Sequence, residues 1–180
     1  MTPQTKEKIY IAIIILLIGA CAQFYYTYHY QPMHQVQVFY NQDRQLNKEI
    51  IDVIREADKF VYFAVYTFTR TDIKEALLAA KYRGLEVKGL TDRDQYEKID
   101  PQKKIIDELR KEGIPVYEQD HAAIMHLKAI VTEKSYASGS FNWTSAATNL
   151  NDEVLEVGHD ELIRGQYQAV LEELLNKYKK

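Results

Sequence analysis

From residue 35 onward the hydrophobic pattern of this chain switches between a period of two and a period of about 3.6 residues. That alternation restricts the chain to a layered α/β arrangement. Gln35-Val36-Gln37-Val38-Phe39-Tyr40 alternates polar and apolar and predicts a strand. Asp43 to Ala57 carries Leu46, Ile50, Ile51, Val53 and Ile54 at helical spacing. Phe60 to Phe68 is rich in β-branched and aromatic residues, as a buried strand is. Thr71 or Asp72 is placed to cap a helix with an apolar face of Ile73, Ala76, Leu77 and Ala80, and Gly84 ends it. Leu85 to Leu90 reads as a strand. Asp100-Pro101 opens a further helix, closed by Gly113, and Ile114 to Tyr117 is a short strand. Leu127 to Thr132 and Tyr136 to Ser140 form a candidate strand pair, Val154 to Val157 another strand, and Glu161 to Tyr178 an amphipathic helix. The expected domain spans residues 35–180 and is α/β, with a mixed, largely parallel β-sheet flanked by helices.

A different segment precedes it. Lys6 and Lys8 are followed by Ile9 to Ala22, an apolar run of 14 residues without a charge. A spanning helix needs about 20 apolar residues, and Gln23 to Tyr30 extends the uncharged stretch with interfacial tyrosines. A basic start, a short apolar core and small residues at its end also mark a secretory signal. Leu17-Ile18-Gly19-Ala20-Cys21 resembles a bacterial lipobox, which makes Cys21 a candidate lipidation residue. Lipoprotein signal, uncleaved anchor and plain secretion signal all stand as readings of residues 1–22, with 23–34 as a tether. Each leaves Lys6 and Lys8 inside and the domain outside the cytoplasm, in a bacterial cell envelope.

Cys21 is the single cysteine, so no intramolecular disulfide forms and a cysteine-based zinc site is disfavoured. The formal net charge of −3 runs against a uniformly basic nucleic-acid binder, while leaving room for a local basic patch. The 14 tyrosines suit interfaces with protein, membrane or bases.

The chemistry concentrates in one stretch. His126-Leu127-Lys128 places an imidazole and an ammonium two residues apart. On a strand both point to one face, with Leu127 directed into the core. The imidazole can attack phosphorus and the ammonium can neutralise transition-state oxygens. Gly139-Ser140-Phe141-Asn142 follows, with a glycine that permits close backbone approach to a ligand and two polar groups two apart. Asn151-Asp152-Glu153 then supplies carboxylates, one of which can accept from the second imidazole nitrogen and fix the tautomer. Asp92 and Asp94 have no further ligand spacing around them, and no catalytic metal or cofactor is expected.

His-x-Lys followed by an acidic residue and Gly-Ser-x-Asn resembles the signature of the phospholipase D superfamily. The chain is similar to the small, single-motif, Nuc-type bacterial endonucleases through most of residues 36–160, including Ala64 to Thr69 and Ala79 to Lys88. The resemblance implies that His126 is the nucleophile and that Lys128 and Asn142 bind phosphate, supported by Ser140. Glu153 is then the carboxylate that orients His126. Glu133 stands where the signature usually has Asp, which puts local geometry and rate in question. The implied activity is a phosphodiesterase, foremost a non-specific endonuclease on DNA, with RNA as a further substrate, working through a phosphohistidine. Hydrolysis of phospholipid headgroups is the alternative, and a catalytically idle phosphate binder a third class. His29, His34, His121 and His159 lack the Lys and Gly-Ser-x-Asn context. The second histidine is therefore expected from another copy, in a homodimer. Trp143 reads as a base-stacking, core or interface residue, and Arg70, Arg83, Arg93, Lys103 and Lys104 as solvated faces or phosphate contacts.

Overall fold

The computed structural model describes residues 2–29, 36–41 and 45–179, and divides the chain into units at residues 1–35 and 36–180. The first unit holds one helix, α1 (Pro3–His29). Its Pro3–Tyr26 portion is 24 residues, long and apolar enough to cross a bilayer. The helix passes beyond residue 22 into the segment expected as a tether. Residues 30–35 lie outside the described residues. Cys21 is exposed on α1.

The second unit runs β1 (Val36–Tyr40), α2 (Leu46–Glu56), β2 (Phe60–Val65), α3 (Thr71–Tyr82), β3 (Glu86–Thr91), α4 (Arg93–Lys98), α5 (Asp100–Lys111), β4 (Val116–Glu118), β5 (Lys128–Thr132), β6 (Tyr136–Gly139), α6 (Ser145–Asn149), β7 (Val154–Gly158) and α7 (Glu161–Tyr178). The helix start expected at Asp43 lies outside the described residues. Thr71 and Asp72 do not cap α3: the N-cap residue is Arg70, and the Asp72 carboxylate is taken up by the Arg70 guanidinium. Gly84, two residues past the end of α3, adopts φ 92°, the left-handed turn that returns the chain toward β3.

Seven strands form one sheet in the order β1-β7-β6-β5-β2-β3-β4. The sheet is mixed, as expected, but its parallel share is smaller than the strand–helix alternation implied. Among the described strands, β2–β3 and β3–β4 pair in parallel and the other four pairings are antiparallel. The reason lies in the connections. α3 and then α4 with α5 provide crossovers that return the chain in the same direction. A three-residue turn reverses it between β5 and β6.

Both faces of the sheet are covered, which explains the near-continuous apolar run of β2. Val61, Phe63 and Val65 pack with Ile50 and Ile54 of α2, Ile73 and Leu77 of α3, and Ile106 and Leu109 of α5. Tyr62 and Ala64 pack on the other face with Leu171, Leu175 and Tyr178 of α7. Trp143 joins the first cluster, 5.4 Å from the Phe63 ring and 4.9 Å from Phe68, so it is a core residue rather than a base-stacking one.

Glu133 ties the far end of β5 to β2. Its carboxylate accepts from the backbone N–H of Asp58 at 2.7 Å, Lys59 at 3.1 Å and Phe60 at 3.3 Å. Burial pushes this carboxyl upward, but the backbone donors outweigh it and hold the group below its ordinary value. Glu133 follows β5 and His126 precedes it, so the whole strand, roughly 16 Å long, lies between the departure from the usual Asp and the imidazole. Glu133→Ala leaves three N–H groups without their acceptor and is expected to cost about 1–3 kcal/mol in denaturant unfolding at neutral pH. Because the folded-state carboxyl is depressed, the ionised group stabilises above its unfolded value and loses that effect as pH falls through the folded value. The unfolding curves of the two proteins should therefore converge in acid; a constant gap would refute the assignment.

Candidate active site

The topology collects one end of several strands along a single edge of the sheet. β2 and β3 run parallel and finish there, β5 and β7 start there, and β6 ends there. Val65 at the end of β2 is the register partner of Lys128 at the start of β5. The pairing continues one step further, where the Tyr66 N–H donates to the Leu127 carbonyl at 2.9 Å. His126 comes next.

The segment that carries His126 is pinned by Asp92, at the end of β3. This carboxylate is fully buried. Its Oδ1 caps α4 by accepting from the Gln95 N–H at 2.9 Å, and its Oδ2 accepts from Gln119 Nε2 at 3.0 Å and the Met125 N–H at 2.9 Å. Met125 is itself buried. Asp92 therefore holds the residue immediately before His126. Asp94 is engaged with Lys98 at 2.6 Å.

Lys128 is 7% exposed. Its Nζ donates to the His126 carbonyl at 3.0 Å and lies 5.2 Å from the centre of the Tyr66 ring. Burial pushes the ammonium below its ordinary value, and the charge of Glu153 partly restores it. The His126 imidazole is exposed and meets the Tyr66 ring edge-to-face at 4.8 Å. Leu127, expected in the core, is 38% exposed. Leu127 precedes β5, and β6 pairs with β5 no further than Ala129–Ser138, so the strand alternation is not enforced at this residue.

Gly139 ends β6, and a side chain there would place its Cβ 2.1 Å from the Val154 carbonyl oxygen. The close approach that requires glycine is to the β7 backbone rather than to a ligand. Beyond Gly139 the period-two rule lapses, and Ser140 and Asn142 do not act alike. Ser140 Oγ donates to Glu153 Oε2 and accepts from the Val154 N–H at 3.1 Å. Asn142 Oδ1 accepts from the Thr67 N–H at 3.3 Å. Glu153 is buried, and its other oxygen accepts from Asn151 Nδ2 at 3.1 Å. Among the described residues no hydrogen bond joins Glu153 to His126, so the expected orienting contact is not made within this chain. Both carboxylate oxygens are already held by Ser140 and Asn151.

The remaining candidates separate cleanly. His159 follows β7 at the opposite edge of the sheet. His121 is exposed, with its ring 6.3 Å from that of Tyr178. The side chains of His29 and His34 lie outside the described residues. Arg70 is bound by Asp72 and Thr148, and Arg83 donates to the Ile54 and Ala57 carbonyls. Tyr66 and Gln95 are site residues that pattern reasoning on single motifs passes over. The available signal was an aromatic side chain just past the end of a fully buried strand.

A family profile described as "Cardiolipin synthase, PLD-like domain" matches residues 50–175. A "Mitochondrial cardiolipin hydrolase" of Chlamydomonas reinhardtii is 32% identical over 130 residues, covering 72% of this chain and 57% of that protein. A "Phospholipase D" of Rickettsia bellii is 32% identical over 121 residues, covering 67% and 59%. The chain thus spans a little over half the length of these curated relatives. The crystal structure of a phospholipase D family member, Nuc from Salmonella typhimurium, superposes with a TM-score of 0.71 at 26% identity, covering 77% of this chain and 91% of that one.

Asp92→Ala removes a helix cap and two further bonds that hold the approach to β5. A loss of about 1–3 kcal/mol in unfolding free energy is expected, together with faster hydrogen exchange at the Met125 amide. An unchanged Met125 exchange rate would show that the segment is held by other means.

Proposed function

The chain belongs to the phospholipase D superfamily, and from that premise we propose that it is a phosphodiester hydrolase whose principal substrate is nucleic acid, DNA first and RNA second. The observation that carries the reading is an exposed imidazole, His126, set beside a buried ammonium, Lys128, at one sheet edge. On this reading an unprotonated nitrogen of His126 attacks phosphorus. The P–O bond to the leaving oxygen breaks, that oxygen takes a proton from an acid, and a phosphohistidine remains. Water then attacks the phosphohistidine as its proton passes to the group that acted as acid, the N–P bond breaks, and both His126 and the acid are restored. Lys128 neutralises non-bridging oxygens throughout. Asn142, partly exposed, contributes its amide to the same oxygens. Ser140 and Glu153 hold each other, and the charge of Glu153 acts on Lys128.

The acid must lie opposite the nucleophile, roughly in line. Two-fold pairing of this chain would bring a second His126 to that place, so we assign the working form to a homodimer. Coverage of 91% of the Salmonella Nuc chain supports a nuclease reading, as does the likeness of the motif to Nuc-type endonucleases. A second reading, hydrolysis of phospholipid headgroups, is favoured by α1, which is long enough to reach across a bilayer, and by the names of the curated relatives. α1 also supports placement at a membrane outside the cytoplasm as a signal or anchor, with Cys21 as its candidate lipidation residue.

The deciding assay incubates the full chain in detergent with plasmid DNA, RNA and phosphatidylcholine vesicles, each with excess chelator. Nicking of DNA that survives chelation is expected, since Lys128 supplies the positive charge. Headgroup release without nicking would shift the assignment to the lipid. His126→Ala should abolish turnover, and Lys128→Ala should cost about 3–4 kcal/mol of transition-state stabilisation. Mixed dimers of His126→Ala with intact chains should show far less than half the activity per site. Full activity from a monomer at assay concentration would refute the shared site.

A further inference from the structure

A nucleophilic imidazole needs its ring held, and among the described residues of one chain no hydrogen bond joins Glu153 to His126. Among the described residues, the edge-to-face contact with Tyr66 at 4.8 Å is the one aromatic or hydrogen-bonding contact that the His126 ring makes. Tyr66 is in turn fixed at four points. Its N–H donates to the Leu127 carbonyl at 2.9 Å. Its carbonyl accepts from Gln102 Nε2 at 3.1 Å. Its hydroxyl accepts from Gln95 Nε2 at 3.1 Å. Its ring face lies 5.2 Å from Lys128 Nζ. The Gln95 amide has a defined orientation, because its Oε1 accepts from Thr67 Oγ1 at 2.9 Å. Gln95 also occupies the turn of α4 that Asp92 caps, and Asp92 holds Met125 beside His126. The contacts close a circuit that runs from Asp92 through Gln95 and Tyr66 to His126, and back through Met125.

We propose that Tyr66, latched by Gln95, is the positioning residue for the His126 imidazole. The ring acts as a wall that restricts rotation of the imidazole, and its face restrains Lys128 at the same time. The hydroxyl acts through Gln95 by fixing the tilt of the ring. This inference rests on the reading of His126 as nucleophile, and it concerns the contacts that the ring makes within its own chain.

The test uses the full chain in detergent with bis(p-nitrophenyl) phosphate as a generic phosphodiester, and measures kcat and KM separately. Tyr66→Leu should lower kcat about 100-fold, the order of loss that a small misplacement causes. KM should move much less, and the unfolding transition should stay in place because Tyr66 is only partly buried. Tyr66→Phe keeps the wall and loses the latch, and should retain most of the activity that Tyr66→Leu loses. Gln95→Leu should match Tyr66→Phe. A second readout needs no turnover: relaxation of the His126 imidazole in protein labelled with ¹³C at histidine Cε1. Increased ring mobility in Tyr66→Leu, with Tyr66→Phe close to the parent, supports the proposal. Unchanged ring mobility in Tyr66→Leu overturns it, as does an unchanged kcat. If the parent does not cleave the probe, the proposed function fails and the relaxation data still decide the positioning role. If Tyr66→Leu does not fold, Tyr66→Met decides by the same two readouts: parent-like kcat and ring mobility would overturn the proposal.

Discussion

The antiparallel pairing of β5 onto β2 is the constraint from which the rest of the site follows. β2 is buried on both faces, so its register is not free to slip: moving it by one residue would exchange Phe63, against α2 and α3, with Ala64, against α7. Fixing β2 fixes Val65 opposite Lys128. The end of the pairing, Tyr66 to Leu127, then places the Tyr66 ring beside both His126 and Lys128. The opposite end of the same pair is clamped by Glu133 on the backbone before β2. A strand pair held at both ends is a rigid mount, and side chains on such a mount are better placed than side chains on a free loop.

Electrostatics sharpen the picture. An ammonium removed from water needs replacement partners. Lys128 has one in the His126 carbonyl, a weaker one in the face of Tyr66, and the field of Glu153. The net effect is still a lowered proton affinity. An incompletely compensated cation at a sheet edge interacts more strongly with an arriving anion than a solvated surface lysine would. Glu153 tempers this without quenching it, since its oxygens are held by Ser140 and Asn151 rather than by Lys128.

The sequence carried the strands and helices well wherever hydrophobic periodicity was long. α2, α3, α5 and α7 follow their apolar faces, and β2 its unbroken run. The short helices α4 and α6 were not legible, because six and five residues give too little periodicity. Their caps, Asp92 and Thr144, were visible only as isolated polar residues. The strand rule carried His126 and Lys128 to one edge, but it failed at Leu127, which precedes β5 and has no β6 partner. It does not reach Ser140 and Asn142, where β6 has already ended. The contacts of Tyr66 and Gln95 span 60 and 29 positions of chain, and no local pattern encodes a contact at that separation.

The signature residues therefore divide into two kinds that a linear motif cannot distinguish. Gly139 is glycine because a Cβ would collide with the carbonyl of Val154, and Glu133 is acidic because three backbone N–H groups converge on it. Both act on the backbone of the sheet. Replacing Asp by Glu at the clamp is tolerable for the same reason: the longer side chain still reaches three N–H groups at ordinary hydrogen-bond distances, away from His126. His126, Lys128 and Asn142, by contrast, leave donor or nucleophilic capacity unused by the fold. Among the described residues, Lys128 spends one of its three N–H groups on protein, and the Asn142 amide nitrogen spends none. Unspent capacity at a rigid edge, beside buried groups whose bonds are nearly all satisfied, is the physical mark that separates a group available to substrate from one that only holds the chain in place.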